Sequence, residues 1–458
     1  MKLPVLGTGY GKGDVITARN ATNIWFEPRP QGEKGAVVAR ALPRIQETWA
    51  PTDLRLLSSL DSGQHALAIN GTELVQVTIS DNPLSATMTR AIANLPWTAL
   101  PVINFAEPRA AGGHDGWIVT TGHPQYVSYN GVALTHTMPD GVEAISCLYH
   151  RGYYLIASPR RLHWLTDLAG PPAALDFVGA DASQDDIVEL VDLGSAVAVF
   201  GQRSIQFFQV VGSLDNPLMP IIEATLSIGV AYSRQIRKIG GQVYFWGLPD
   251  VGTPGLFVLD GLSYKRVSGE DLERAIMAEP YNASNISLDG WLWHGHSIVK
   301  FHRVHNSAQT SPTILLDVST GAITTITPDA PYSGRTWTIS ARGNLLVGSQ
   351  RSVGVVRHQE VDPAVPRSLT TDHVVTDLLD RFTLDNLRLD CRGMGDILLE
   401  ISKDGGSTWY TVGAESGANA VSDRRVQWNR LGTARQFTFR LSATGAFDVA
   451  NVMLNARN

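Results

Sequence analysis

Cysteine and charge are both scarce in this sequence. Only Cys147 and Cys391 occur in 458 residues, and their separation fits no metal-binding spacing. A disulfide framework is therefore excluded, and a reducing site of synthesis is expected. Charged residues make up 17% of the chain, and the formal net charge is −6. Because proteins that grip nucleic acid or anionic membranes need clustered Lys and Arg, this composition argues against both binding classes.

Long hydrophobic runs are absent as well. No apolar run approaches the roughly 18 residues that a membrane span requires. The opening stretch "MKLPVLGTGYGKGD" also lacks the apolar core of a secretory signal. We therefore expect neither a signal peptide nor a membrane-spanning segment. We interpret "GTGYGKG" as part of an N-terminal arm, because it resembles a phosphate-binding loop only in composition.

Helical patterns are rare, with one clear start at "SGEDLERAIMAE", whereas short strands and tight turns fill the chain. Stretches such as "GYYLIASPRRLHWL" and "GSAVAVFGQRSIQFFQV" each indicate a glycine turn, an apolar strand, a second turn and a second strand. The glycines that open seven such units are Gly63, Gly113, Gly152, Gly194, Gly241, Gly290 and Gly343. Their intervals fit the roughly 40–50 residues of a four-stranded propeller blade.

This period predicts an all-β chain with a β-propeller of six to seven blades over residues 50–360. The alternative is an irregular series of meanders in a sandwich, but sandwiches space their turns without a longer period. Residues 361–458 form a second unit, a C-terminal β-sandwich-like domain, because apolar positions alternate in "DILLEIS" and "RQFTFRL". We expect residues 1–49, the N-terminal arm and first strands, to pack with that domain.

The stretch "ISKDGGSTWYTVG" carries the spacing S-x-D-x-G-x-T-W, known as the Asp-box. The spacing comprises Ser402, Asp404, Gly406, Thr408 and Trp409. Many sialidases contain such boxes, but the chemistry is that of a turn: the carboxylate accepts backbone N–H groups, and glycine supplies positive φ. We therefore predict a structural hairpin rather than a catalytic site.

Catalytic and metal-binding signals are weak. The best metal-like group is His294, His296 and His302, whose even spacing places them on one face of a strand. An extended strand holds the last two about 20 Å apart, so partly exposed strand histidines are the simpler interpretation. No nucleophile elbow, zinc-protease motif or Walker loop occurs, so we expect no catalytic residue and no cofactor.

The acidic stretch "DASQDDIVELVD" is the second candidate functional segment. Its acidic residues are Asp181, Asp185, Asp186, Glu189 and Asp192. Any two of the carboxylates could be paired as a hydrolase would pair them, although a solvated loop is the commoner origin of such a run. We consider the segment a candidate for a loop that faces a channel lumen or a neighbouring subunit.

Several stretches occur together in the order seen in one known family. They are "RNATNIWFEPRPQGEKGAVVARALPRIQ", "RSIQFFQVVGSLDNPLMPIIEATLSIGVAYSRQIRKIGGQVYFWG", "GHSIVKFH" followed by "TILLDVSTGAIT", and "ISKDGGSTW" followed by "RVQWNRLGTARQFTFRL". On these stretches the chain resembles the packaged-DNA stabilisation or tail-hub proteins, the tail nozzle, of short-tailed bacteriophages. One departure is that the hairpin after Thr320 and Gly321 lacks the Trp that the family often has.

The resemblance implies a virion protein of the phage tail, assembled in the host cytoplasm. In this family a ring of copies, a hexamer, lies below the portal and the tail adaptor protein and carries tail fibre, spike or needle proteins. Its channel retains double-stranded DNA and conducts it during ejection, without sequence-specific binding. A chain of low positive charge suits such a conduit.

A β-propeller glycan hydrolase of the sialidase type remains the alternative function. It differs from a tail conduit in one testable respect, because an enzyme needs charged residues that converge on an accessible central pocket.

Overall fold

The computed structural model describes most of the propeller and the C-terminal domain. The described residues are 2–4, 18–28, 37–41, 44–49, 54–60, 65–70, 73–81, 84–94, 109–114, 116–180, 183–213, 216–277, 286–293, 295–303, 313–326, 336–339, 345–348, 353–357, 364–371, 373–375, 380–391, 395–416 and 424–457. The "GTGYGKG" stretch lies outside them.

The chain divides into two compact units. One contains residues 46–308 and 334–356, and the other contains residues 1–45, 309–333 and 357–458. The boundaries expected from the sequence, at 50 and 360, stay a prediction. The two units differ from them chiefly at residues 309–333, which group with the N- and C-terminal segments rather than with the propeller.

The first unit is built from antiparallel sheets that follow one another along the chain, which we number as blades 1 to 7. Blade 1 comprises Leu54–Leu60, His65–Asn70, Glu73–Asp81 and Leu84–Asn94, and blade 2 comprises Arg109–Gly113, Gly116–Thr120, Gln125–Tyr129 and Ala133–Thr137. Blade 3 comprises Ser146–His150, Tyr153–Ser158, Arg161–Leu165 and Phe177–Gly179, and blade 4 comprises Ile187–Asp192, Val197–Gly201, Ile205–Val210 and Leu218–Pro220. Blade 5 comprises Ile228–Gly229, Ile236–Ile239, Gln242–Pro249, Gly255–Asp260 and Ser263–Arg266; blade 6 is the hairpin Ile286–Trp293 and His296–Arg303; and blade 7 comprises Thr336–Ile339, Leu345–Gly348, Val353–Arg357 and the N-terminal strand Arg44–Trp49.

The seven blades, counted over the described residues, form a closed ring. The first strand of each blade contacts the first strand of the next for blades 1 to 4, and the inner strands of blades 5, 6, 7 and 1 contact in the same way. Blades 4 and 5 share an apolar core that includes Phe200, Phe207, Phe245 and Phe257. Because the first strands contact one another, they line the axis, and the predicted propeller is confirmed.

Three of the seven glycines that the sequence singled out lie in turns, Gly113 ends the first strand of blade 2, and Gly63 and Gly343 lie outside the described residues. Gly152, Gly194 and Gly241 lie in the turn after a first strand, each with φ between 82° and 93°. Gly290 does not, because it lies within the first strand of blade 6. A Cβ atom at Gly290 would stand 2.1 Å from Ile239 Cδ1, so glycine there permits the close approach of blades 5 and 6.

The second unit is a sandwich of two sheets around one core. The first sheet comprises Lys2–Pro4, Ile24–Pro28, Val37–Ala41, Phe382–Cys391, Arg424–Ala434 and Asp448–Arg457. The second comprises Ala18–Thr22, Thr313–Asp317, Ile323–Ile326, Pro366–Thr371, Val374–Val375, Asp396–Ser402, Tyr410–Ser416 and Gln436–Thr444. Leu399 pairs with Leu441, which pairs with Leu369, and all three are buried in the shared core, as the sequence alternation predicts.

Helices are few in the described part of the chain. One α-helix, Glu270–Met277, follows blade 5, and three short 3-10 turns occur at Pro139–Gly141, Ile222–Ala224 and Ser233–Gln235. Within the described ranges, no helix is long and apolar enough to cross a membrane.

Candidate functional site

The Asp-box residues meet in one tight turn between two strands of the sandwich. Asp404 Oδ1 accepts hydrogen bonds from the Ser402 hydroxyl at 2.7 Å and from the Thr408 amide at 2.9 Å. Asp404 Oδ2 accepts the Thr408 hydroxyl at 2.5 Å, and Ser402 Oγ accepts the Gly406 amide at 2.8 Å. Gly405 and Gly406 have φ of 75° and 94°, the conformation that glycine adopts without strain.

The Asp404 carboxylate stabilises the backbone of this turn. The hydrogen bonds from Thr408, and then the one from Ser402, lower the pKa of Asp404 to about 2. Trp409 lies beside the turn, where the Arg440 guanidinium carbon stands 3.8 Å from the centroid of its ring. Arg440 also donates to Glu400 at 3.3 Å. These hydrogen bonds join residues of the sandwich to one another, which is the arrangement of a structural hairpin.

The acidic segment does not form a single exposed loop. Asp181 lies outside the described residues. Asp185 faces inward onto the turn between the second and third strands of blade 4. Its carboxylate accepts the Arg203 amide at 2.6 Å and both the amide and the hydroxyl of Ser204 at 3.0 Å. Asp185 therefore orders a turn, whereas Asp186 is exposed, with a side chain 53% accessible beside Arg160.

Of the acidic residues, Glu189 departs most from the exposed loop position that the sequence predicts. It lies within the strand Ile187–Asp192, and only 4% of its surface is exposed. Arg109 Nε donates to Glu189 Oε2 at 2.6 Å, and the buried Ser146 hydroxyl donates to Oε1. Burial raises the pKa of Glu189, whereas Arg109 and the hydrogen bond from Ser146 lower it. Arg109, Ser146 and Glu189 meet because they lie on the first strands of blades 2, 3 and 4, which converge at the axis.

Asp192 ends the same strand and is also paired. Its Oδ1 lies 2.8 Å from His150 Nδ1 and accepts the Gly194 amide at 2.7 Å. The Lys238 ammonium donates to the Asp192 backbone carbonyl at 2.7 Å. Asp192 thus links blades 3, 4 and 5 at the last residue of this strand.

Of the three histidines considered for a metal, one has a described side chain. His294 and the side chain of His302 fall outside the described residues, and His296 is buried at 9% exposure. Within the parts of the chain that the structure describes, no three His, Cys, Asp or Glu side chains are grouped as metal ligands.

Two ionisable side chains of the propeller were missed by the sequence analysis. Arg109 opens blade 2 and pairs with Glu189, as described above. Lys300 is fully buried in blade 6, directly across the strand pair from Asp289, and Arg237 of blade 5 lies 3.9 Å from Asp289. Burial lowers the pKa of Lys300 to about 7. Neither residue stands in a recognisable motif: Arg109 pairs with a strand 80 residues further along the chain, and Lys300 is buried inside a blade.

Comparison with known proteins identifies the propeller. Residues 109–308, less than half of the chain, match the family model described as "Bacteriophage P22 Gp10, beta-propeller". The match begins at the first residue of blade 2 and runs through blade 6. The phage family resemblance expected from the sequence is confirmed over this range. No curated protein matches the chain.

The solved structures that match this chain include three proteins of different kinds, each with a TM-score below 0.5. A streptogramin B lyase is 9% identical, with a TM-score of 0.42 over 70% of this chain and 97% of its own. A glycoside hydrolase is 10% identical, with a TM-score of 0.24 over 78% and 98%. The extracellular domain of a one-component system from B. thetaiotaomicron is 10% identical, with a TM-score of 0.42 over 92% and 58%.

Proposed function

We propose, because blades 2 to 6 match a phage propeller family, that this protein is a structural component of the tail of a short-tailed phage. Copies of the chain form a ring below the portal and the adaptor, six in the family that the sequence resembles. The ring retains packaged double-stranded DNA, conducts it during ejection and catalyses no reaction. The family match over residues 109–308 is the observation that carries this proposal.

The chemistry of the described residues is compatible with a conduit. The formal net charge of −6 limits the number of phosphate contacts that could retard a sliding duplex. The geometry of a turn, rather than a reacting group, explains the Asp-box carboxylate, because its oxygens accept hydrogen bonds from its own hairpin. Of the acidic segment, we propose Asp186 as the residue that faces the channel or a neighbouring subunit.

Assembly on a template tests the proposal directly. Electron microscopy of the purified protein, alone and with the portal–adaptor complex of the same phage, gives class averages viewed along the ring axis. We expect monomers alone and a closed ring on the template, because heterologous contacts close only when the rotation between copies is fixed.

The same images would also reveal an outcome that contradicts the proposal. Closed two-fold dimers both in solution and on the template would contradict a ring, and a chain that never binds the portal–adaptor complex would contradict a position in the tail. A portal complex without the adaptor serves as the control, since the proposal places the adaptor between the two.

A further inference from the structure

The innermost strand of blade 5 is interrupted in an unusual way. It runs over Ile228–Gly229, breaks, and resumes at Ile236–Ile239, with both parts paired to the same neighbouring strand. The break contains the 3-10 turn Ser233–Gln235, whose three polar residues are each at most 4% exposed. An interruption that buries polar side chains at the axis needs specific partners.

Hydrogen bonds and close backbone packing hold the loop 230–235 in place. The Val230 amide donates to the Gly201 carbonyl at 3.0 Å, and a Cβ atom on Gly229 would stand 2.2 Å from the Gln202 backbone. Gln235 Oε1 accepts the amides of Ala231 and Tyr232 at 3.1 and 3.2 Å, which closes the loop on itself. The loop is therefore held rigidly against blade 4.

Arg109 ties this loop to three other blades. Its Nη2 donates to the Ser233 carbonyl of blade 5 at 3.1 Å, while its Nε binds Glu189 of blade 4 at 2.6 Å. Ser146 of blade 3 donates to the same carboxylate and accepts the Leu190 amide at 3.2 Å. One guanidinium from blade 2 thus reaches past blade 3, which is feasible only where first strands converge on the axis.

We propose that the loop 230–235, Arg109, Ser146 and Glu189 form an axial lock, a conformational device that fills one end of the propeller axis and makes blades 2 to 5 open together. Its partners come from four separate segments of the chain, so no single hairpin can form it. The axial lock is independent of the proposed tail function, since it concerns how the propeller stays closed.

The chain contains its own reporter for this device. Cys147 follows Ser146 directly, is 5% exposed, and its thiol donates to the Arg109 carbonyl at 3.5 Å. Cys391, 1% exposed in the sandwich, reports on the other unit. Native-state labelling of both thiols with an alkylating reagent, resolved peptide by peptide by mass spectrometry, measures the opening at each site.

Three variants of the full chain test the axial lock. Glu189→Gln keeps the shape of the side chain but removes its charge, and Arg109→Lys keeps a charge but loses the forked contact to two blades. In each we expect Cys147 to be labelled about tenfold faster or more, with Cys391 unchanged, because only local opening becomes easier. Arg160→Lys, at the exposed pair with Asp186, is the matched control and should alter neither rate.

Each labelling outcome supports or contradicts the axial lock. Unchanged labelling of Cys147 in both axial variants would show that the contacts lock nothing. Equal acceleration at both cysteines would show general destabilisation rather than a device in the propeller. If Glu189→Gln does not yield folded protein, Arg109→Lys alone carries the test, read in the same two peptides.

Discussion

Replacing Lys300 with Met should change how the stability of the propeller depends on pH. Lys300 is fully buried opposite Asp289, and burial, with a smaller contribution from Arg237, lowers the pKa of Lys300 to about 7 although Asp289 opposes the shift. An unfolded chain keeps that proton up to the ordinary lysine pKa near 10.5. Between these values the unfolded state binds more protons than the folded state, so stability rises with pH.

The size of the effect follows from the same pKa difference. Each pH unit within the window adds about 1.4 kcal/mol for one proton. From about pH 7.5 to 9.5, wild type should therefore gain roughly 2 to 3 kcal/mol relative to Lys300→Met, whose side chain has no proton to lose. Below the folded pKa the difference becomes constant, because both states are then protonated.

Urea unfolding followed by tryptophan fluorescence supplies the assay, since Trp246 and Trp291 are buried in blades 5 and 6. The quantity compared is the free energy of unfolding of wild type minus that of the variant, at each pH, with unchanged m-values. Lys265→Met removes an exposed lysine from blade 5 and is the control. Parallel pH profiles of wild type and Lys300→Met would mean that the attraction of Asp289 outweighs the effect of burial on the pKa of Lys300.

The remaining predictions concern the two carboxylates that the sequence singled out. Because the pKa of Asp404 is lowered to about 2, the hairpin loses stability as pH falls from about 4 towards 2; Asp404→Ala should lower the melting temperature at pH 7 and abolish that acid dependence in calorimetry. Asp186→Lys should leave stability within about 0.5 kcal/mol, since the side chain is exposed, yet slow DNA ejection most at low salt. Ejection equal to wild type at low ionic strength would remove Asp186 from the channel wall.

The fold was predictable where a local pattern repeats. Glycine turns such as Gly152 and Gly194 recur because each first strand must reverse sharply, and positive φ makes glycine the residue that does so without strain. The alternation of Ile397, Leu399 and Ile401 predicted one buried face, and all three lie in the sandwich core. Both signals depend only on neighbours along the chain, so a single sequence contains them.

The axial charges were not predictable for the opposite reason. Glu189 stands in an acidic run, and a run of like charges normally indicates solvent exposure. Its burial depends on Arg109, 80 residues earlier, and on Ser146 in the intervening blade. Gly290 was misassigned similarly, because its small size serves the approach of Ile239 from another blade rather than a turn. Contacts of this kind become visible only when the blades are placed in a ring.

The axis also bears on the hydrolase alternative. A propeller enzyme needs charged side chains that converge on space accessible to a substrate. Charged groups do converge at the axis of this propeller. The two carboxylate oxygens of Glu189, however, accept hydrogen bonds from Arg109, Ser146 and the Leu190 amide. The Ser233–Gln235 turn lies beside this group of residues. The carboxylate is 4% exposed, and its three hydrogen-bond donors hold it in place between blades 2, 3 and 4. If these contacts keep the ring of blades closed, the labelling of Cys147 measures that closure, and an assay for glycan hydrolysis tests the alternative function directly.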